Sequence, residues 1–129
     1  MNGTEAATLY VGLNTLIILV LLVLVIRQRR IHKCALGDGG HSSLILAIRA
    51  HANAVEVIPV TLVGLVALAS VGAPALVVHA LGIILTLGRV LHAYGLSGKS
   101  GPSFGRMSGM LLSLVALALT GVICVMSAF

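Results

Sequence analysis

A chain of 129 residues supplies one compact unit rather than two. Its residues are 59% apolar and only 9% charged, against about 25% charged in an ordinary water-soluble domain, so it could not cover its own surface in water. The formal charge of +5 comes from eight Lys and Arg scattered among long apolar runs; they make no basic face, which excludes a nucleic-acid binder and leaves the membrane as their explanation.

The first predicted element runs from Ala7 to Ile26, 20 residues that are apolar almost throughout, and about 20 is what a bilayer crossing requires. Glu5 precedes it and every nearby Lys or Arg follows it. A signal peptide has the opposite order, so this segment is expected to stay in the protein as a helix. Asn2-Gly3-Thr4 matches a glycosylation triplet, a pattern common by chance. The connection from Arg27 to Ser43 holds Arg27, Arg29, Arg30, Lys33 and a Gly-Asp-Gly-Gly turn at 37–40. That turn lacks the strand-to-helix context of a nucleotide loop. Cys34 lies in this connection and Cys124 in the last span, with no C-x-x-C between them; both are expected to be ordinary thiols, and no metal site is expected.

The second element, Leu44 to Ser70, is interrupted by Arg49, His51, Asn53 and Glu56. At about 100° per residue Arg49, Asn53 and Glu56 share an arc of about 60°, while His51 points elsewhere. One face of this helix thus presents a cation, an amide and an anion. Pro59, three residues on, is expected to kink the helix, although membrane helices also tolerate proline. A tight Val71-Gly72-Ala73-Pro74 leads to the third element, Ala75 to Tyr94, which contains His79, Arg89 and His92. Arg89 and His92, at i and i+3, share a face from which Tyr94 diverges, and His79 is expected at the interface. Gly95 to Arg106 reads as a loop by its glycines, Pro102, Lys99 and Arg106. The fourth element, Met107 to Met126, has no ionisable group except Cys124. Gly64, Gly82, Gly88, Gly109 and Gly121, with many Ala and Ser, favour close helix contacts. The aromatic belt is nearly missing, so anchoring falls to the basic connections.

Six of the eight Lys and Arg lie in the first and third connections. Positive charge stays on the cytoplasmic side, so both connections are expected there and both termini on the other side. The expected fold is an all-α, four-transmembrane-helix bundle in a single domain, 1–129.

Ionisable groups inside a span cost about 2.5–3.5 kcal/mol each on insertion scales and usually mark function. The second and third helices could close one polar pocket near the inner surface, with Arg106 at the same level. Arg49, Arg89 and Arg106 face one carboxylate, Glu56, so a bound anion would supply the missing negative charge. The blander alternative pairs Arg49 with Glu56 to lock helices and lets Arg89 snorkel.

The stretch Arg49-Ala50-His51-Ala52-Asn53-Ala54-Val55-Glu56-Val57-Ile58-Pro59 resembles the signature of the MAPEG family, the membrane-associated proteins of eicosanoid and glutathione metabolism. Gly88-Arg89-Val90-Leu91-His92-Ala93-Tyr94-Gly95 is similar to its bacterial branch, and the likeness covers essentially the whole chain. The resemblance implies a homotrimer in a bacterial inner membrane, surrounded by lipid, that binds glutathione between subunits near the cytoplasmic side. It implies Arg27, Arg49, Asn53, Glu56, Arg89, His92 and, as the nearest aromatic, Tyr94 as residues that hold the tripeptide. It further implies Arg106 as the catalytic group that favours the glutathione thiolate, since a neighbouring guanidinium stabilises the charged form of a thiol. The thiolate would then attack a lipophilic electrophile or a lipid hydroperoxide, a detoxifying transferase or peroxidase reaction. Val57 and Leu96 stand where eicosanoid-forming members have tyrosines, which argues against a leukotriene or prostaglandin substrate. Two other classes compete. A small proton-coupled exporter would use Glu56, but its carboxylate belongs in the first span. A non-catalytic membrane protein would keep the same fold.

Overall fold

The computed structural model describes residues 1–96 and 103–129, and these form four helices: α1 (Gly3–His32), α2 (Ser42–Ser70), α3 (Ala75–Leu96) and α4 (Phe104–Met126). Each is long and apolar enough to cross a membrane. Many large side chains on the outside, among them Leu16, Val20, Val63, Leu76 and Leu111, are exposed and apolar. Outside and inside are equally greasy, the pattern of a bundle whose solvent is lipid.

The helices overrun the expected spans because apolarity and helix termination are set by different chemistry. α1 starts at Gly3, where the Asn2 side chain accepts from the Glu5 backbone N–H and the Glu5 carboxylate accepts from the Asn2 N–H, each at 2.9 Å. The glycosylation-like triplet is thus a helix cap. At the other end the expected loop from Arg27 is still helical to His32. Nothing between Ile26 and His32 breaks a helix, and cations there favour the negative end of the macrodipole. The turn comes at Lys33, which is left-handed (φ 50°). Arg29 then donates to the carbonyls of Cys34, Ala35 and Gly37 at 3.4, 3.2 and 2.9 Å. Gly37, Gly39 and Gly40 take positive φ, and Asp38 caps the Gly40 N–H. His32 stacks on His41 with centroids 4.0 Å apart and shares a hydrogen bond with Ser43, seating the start of α2 on the end of α1.

α2 passes through Pro59 as one helix. α3 continues to Leu96 and α4 begins at Phe104, so the third connection is shorter than expected; Lys99, Gly98, Gly101 and Pro102 lie outside the described residues. Ser103 accepts from the Arg106 N–H and donates to the Gly95 carbonyl at 2.9 Å, joining the end of α3 to the start of α4.

Glycine sets how closely the helices approach. A Cβ at Gly109 would collide with the backbone nitrogen of His92, and one at Gly95 with that of Arg106, so α3 and α4 touch backbone to backbone. Gly82 receives the Tyr10 ring of α1, and Gly64 receives Thr120 of α4. Gly121, expected to join this packing, meets nothing within 4 Å. Leu44, Ala54, Ile58, Leu65, Leu68, Val78, Leu85 and Ala116 fill the centre with no exposed surface.

Candidate anion-binding cavity

Antiparallel neighbours bring the start of α2, the end of α3 and the start of α4 to one level, the end of the bundle that carries the basic connections. There Arg49, Asn53, His92, Arg106, Met107, Met110, Leu111 and Leu114 line a cavity of about 660 Å³. Four of the eight residues expected to form a site meet in it: Arg49 and Asn53 from α2, His92 from α3 and Arg106 from α4. The remaining wall is apolar and comes entirely from α4.

Each polar member is placed by local structure. Arg49 and Asn53 sit one turn apart on α2, so their side chains stack along one face. Arg106 lies in the first turn of α4, held there by the Ser103 cap. His92 is 5% exposed, and its backbone is pressed onto Gly109.

Arg89 is elsewhere. It was expected among the groups touching a ligand, but it is wholly buried (0% exposed) behind the cavity wall. Its Nη1 donates to Asn53 Oδ1 at 2.8 Å and makes a longer contact to Ser113 Oγ at 3.5 Å, while Nη2 lies 3.2 Å from His92 Nδ1. Its Nε has no partner. The snorkelling alternative fails for Arg89, because the side chain runs into the protein rather than out to headgroups.

Glu56 is exposed on the α2 face that carries Arg49 and Asn53, Arg27 is exposed at the end of α1, and Tyr94 is 79% exposed. None of the three lines the cavity. Among the described residues the one ion pair joins the Met1 amino group to Glu5. The alternative in which Arg49 and Glu56 lock together is therefore not seen, and Arg49, Arg89 and Arg106 reach no carboxylate. Among the described residues no group of three or more His, Cys, Asp and Glu is close enough to hold a metal ion.

The apolar wall was missed by reading α4 only for charge. Arg106, Met110 and Leu114 recur at i, i+4 and i+8, a stripe legible at helical spacing. A second buried polar cluster was also missed, at the opposite end of the bundle. Asn14 is fully buried and donates to the Tyr10 carbonyl and to Thr86 Oγ1, both at 2.9 Å. Tyr10 shares a 3.0 Å hydrogen bond with His79, whose ring meets it edge-on. His79, expected at the interface, is half-buried in this cluster. The spacing of Tyr10 and Asn14, one turn apart, was the available signal.

Four apolar helices, three of which line a carboxylate-free cavity carrying Arg49 and Arg106 at one end, define an integral membrane protein of the four-helix class. Comparison with known proteins narrows the class: residues 7–126 match the MAPEG family model, and the chain belongs to the MAPEG family. It is similar to "Inner membrane protein YecN" of Escherichia coli strain K12, 39% identical over 113 residues, which is 88% of this chain and 85% of that protein. The same protein of Escherichia coli O6:H1 gives the same figures. No solved structure matches.

Proposed function

We propose that the cavity binds glutathione and that the protein is a glutathione-dependent transferase or peroxidase acting on lipophilic electrophiles. One observation carries this reading: Arg49 and Arg106 face a common space, Arg89 stands behind it, and no carboxylate neutralises them among the described residues. Its size lies within the roughly 300–1,000 Å³ of small-molecule sites. Glutathione has two carboxylates and one ammonium, so it brings net negative charge. The family includes enzymes that use this thiol, which supports the choice of anion.

In this reading Arg49 and Asn53 bind the carboxylates and Arg106 stands by the sulfur. A guanidinium holds its charge when partly desolvated, so Arg106 favours the thiolate over the thiol. The thiol proton leaves to solvent. The thiolate then forms a C–S bond with the electrophile, and the leaving group departs with its electron pair. With a hydroperoxide, two glutathiones are oxidised to the disulfide while the peroxide becomes an alcohol and water. The Met107–Leu114 wall serves the lipophilic partner, because methionine and leucine accept varied apolar shapes.

Glu56 extends the proposal to a homotrimer in a bacterial inner membrane. A carboxylate facing acyl chains would cost about 2.5–3.5 kcal/mol; a neighbouring subunit over that face would shelter Glu56 and offer it the glutathione ammonium. The same interface would bring Arg27 and Tyr94 toward the tripeptide.

The test is turnover. Purified protein should conjugate glutathione to a dinitrohalobenzene or reduce a lipid hydroperoxide. Arg106→Ala should lower kcat by at least about tenfold, the effect of losing roughly 1.5–3 kcal/mol from a charged hydrogen bond, and should weaken glutathione binding less than Arg49→Ala does. Absence of both reactions in folded wild-type protein would refute the enzymatic part of the reading.

A further inference from the structure

We propose that Arg89 is a positioning residue that makes the cavity a donor-only surface, by fixing the amide orientation of Asn53 and the ring tautomer of His92. The inference deepens the proposed function by naming what the site recognises, and its structural part stands independently of glutathione.

The argument begins with a chemical restriction. A guanidinium has N–H donors and no acceptor. Any atom that hydrogen-bonds to Arg89 must therefore present a lone pair. At Asn53 that atom is Oδ1, 2.8 Å from Nη1. With its carbonyl committed inward, the amide turns its Nδ2 the other way, where it approaches the Met110 sulfur on the cavity wall at 3.8 Å. At His92 the atom facing Nη2 is Nδ1, at 3.2 Å. Since Arg89 cannot accept, Nδ1 holds the lone pair, and the proton of the neutral ring sits on Nε2. That leaves the Nε2–H edge of His92 for the cavity that the residue lines.

The polar lining then reads Arg49 guanidinium, Arg106 guanidinium, Asn53 N–H and His92 N–H. All four give protons and none takes one. Such a wall selects groups that only accept, carboxylates and thiolates, and rejects ammonium, since burying a donor without an acceptor is penalised. It also limits chemistry: His92 presents no lone pair to the cavity, so it is a hydrogen-bond donor to the ligand and not the base that removes the thiol proton. Complete burial of Arg89 and its lack of a carboxylate partner among the described residues leave its donors for this task.

The experiment is nitrogen NMR of histidine-labelled protein in detergent, with His92 assigned by its loss in His92→Gln. In the wild type His92 should show a proton on Nε2 and an unprotonated, acceptor-type Nδ1. Arg89→Met should release the ring to a mixture of tautomers, and Arg89→Lys, whose ammonium donates and cannot accept, should restore the wild-type signature. A wild-type His92 carrying its proton on Nδ1 overturns the proposal with no variant needed, and so does an Arg89→Met ring that stays wholly in the Nε2–H form. Calorimetry with glutathione on the same sample separates the two readings. The Nε2–H tautomer without glutathione binding removes the proposed function and keeps the role of Arg89, whereas glutathione binding with an Nδ1–H ring does the reverse.

Discussion

Arg89, Arg49 and Arg106 show how one residue type serves different ends according to burial. Arg89 spends its donors on Asn53 and His92 inside the protein, while Arg49 and Arg106 turn theirs to a cavity. The sequence put Arg49, Asn53 and Glu56 on one face and Arg89 with His92 on another, which periodicity alone can do. It could not say which face turns inward, because the rotation of one helix about its axis is set by its neighbours. That is why Arg89 was expected to touch a ligand and lies behind the wall instead. The apolar wall makes its own prediction. Leu114→Ala removes contact area worth about 1.5 kcal/mol when fully used, so KM for a lipophilic acceptor should rise up to about tenfold while KM for glutathione stays put. Equal rises in both would remove α4 as the acceptor side.

Between elements, glycine decides. The α3–α4 seam at Gly88, Gly95, Gly105 and Gly109 lets Arg106 and His92 share one cavity although they come from different helices. Gly109→Ala should destabilise the bundle by about 1–3 kcal/mol, the usual penalty of overpacking, because the new methyl meets His92 backbone that cannot yield. Gly121→Ala is the matched control: nothing lies within 4 Å of it, so the thermal midpoint in detergent should not fall. Four helices and their apolar stretches were legible from run length, since a bilayer permits few other solutions. Helix ends were less so. α1 continues through Arg27–His32 because a charge ends a membrane span without ending a helix, and the stop at Lys33 is a backbone event that hydropathy does not register. Asn14 went unread for a related reason: its one-turn spacing from Tyr10 puts the two on one face, but only α3, through Thr86 and His79, shows that this face turns inward.

At the scale of the whole molecule, the charge in the basic connections predicts an orientation, and Cys34 can report on it. This thiol is partly exposed in the α1–α2 connection. If that connection is cytoplasmic, a membrane-impermeant maleimide should label Cys34 in inside-out vesicles and leave it unlabelled in intact cells; the opposite pattern would invert the topology. The same end of the bundle holds the cavity, so in that topology the proposed thiol ligand would come from the cytoplasm and the proposed lipophilic partner from the bilayer. Everything functional rests on unneutralised guanidinium groups receiving a negatively charged guest. The most direct measurement is calorimetric titration of glutathione into the detergent-purified protein, beside Arg49→Ala of matched helical content. Saturable binding in the wild type, weakened about 10- to 100-fold in the variant by loss of a charged hydrogen bond, is the predicted result. No saturable heat in folded wild-type protein, or equal affinity in the two, would contradict it.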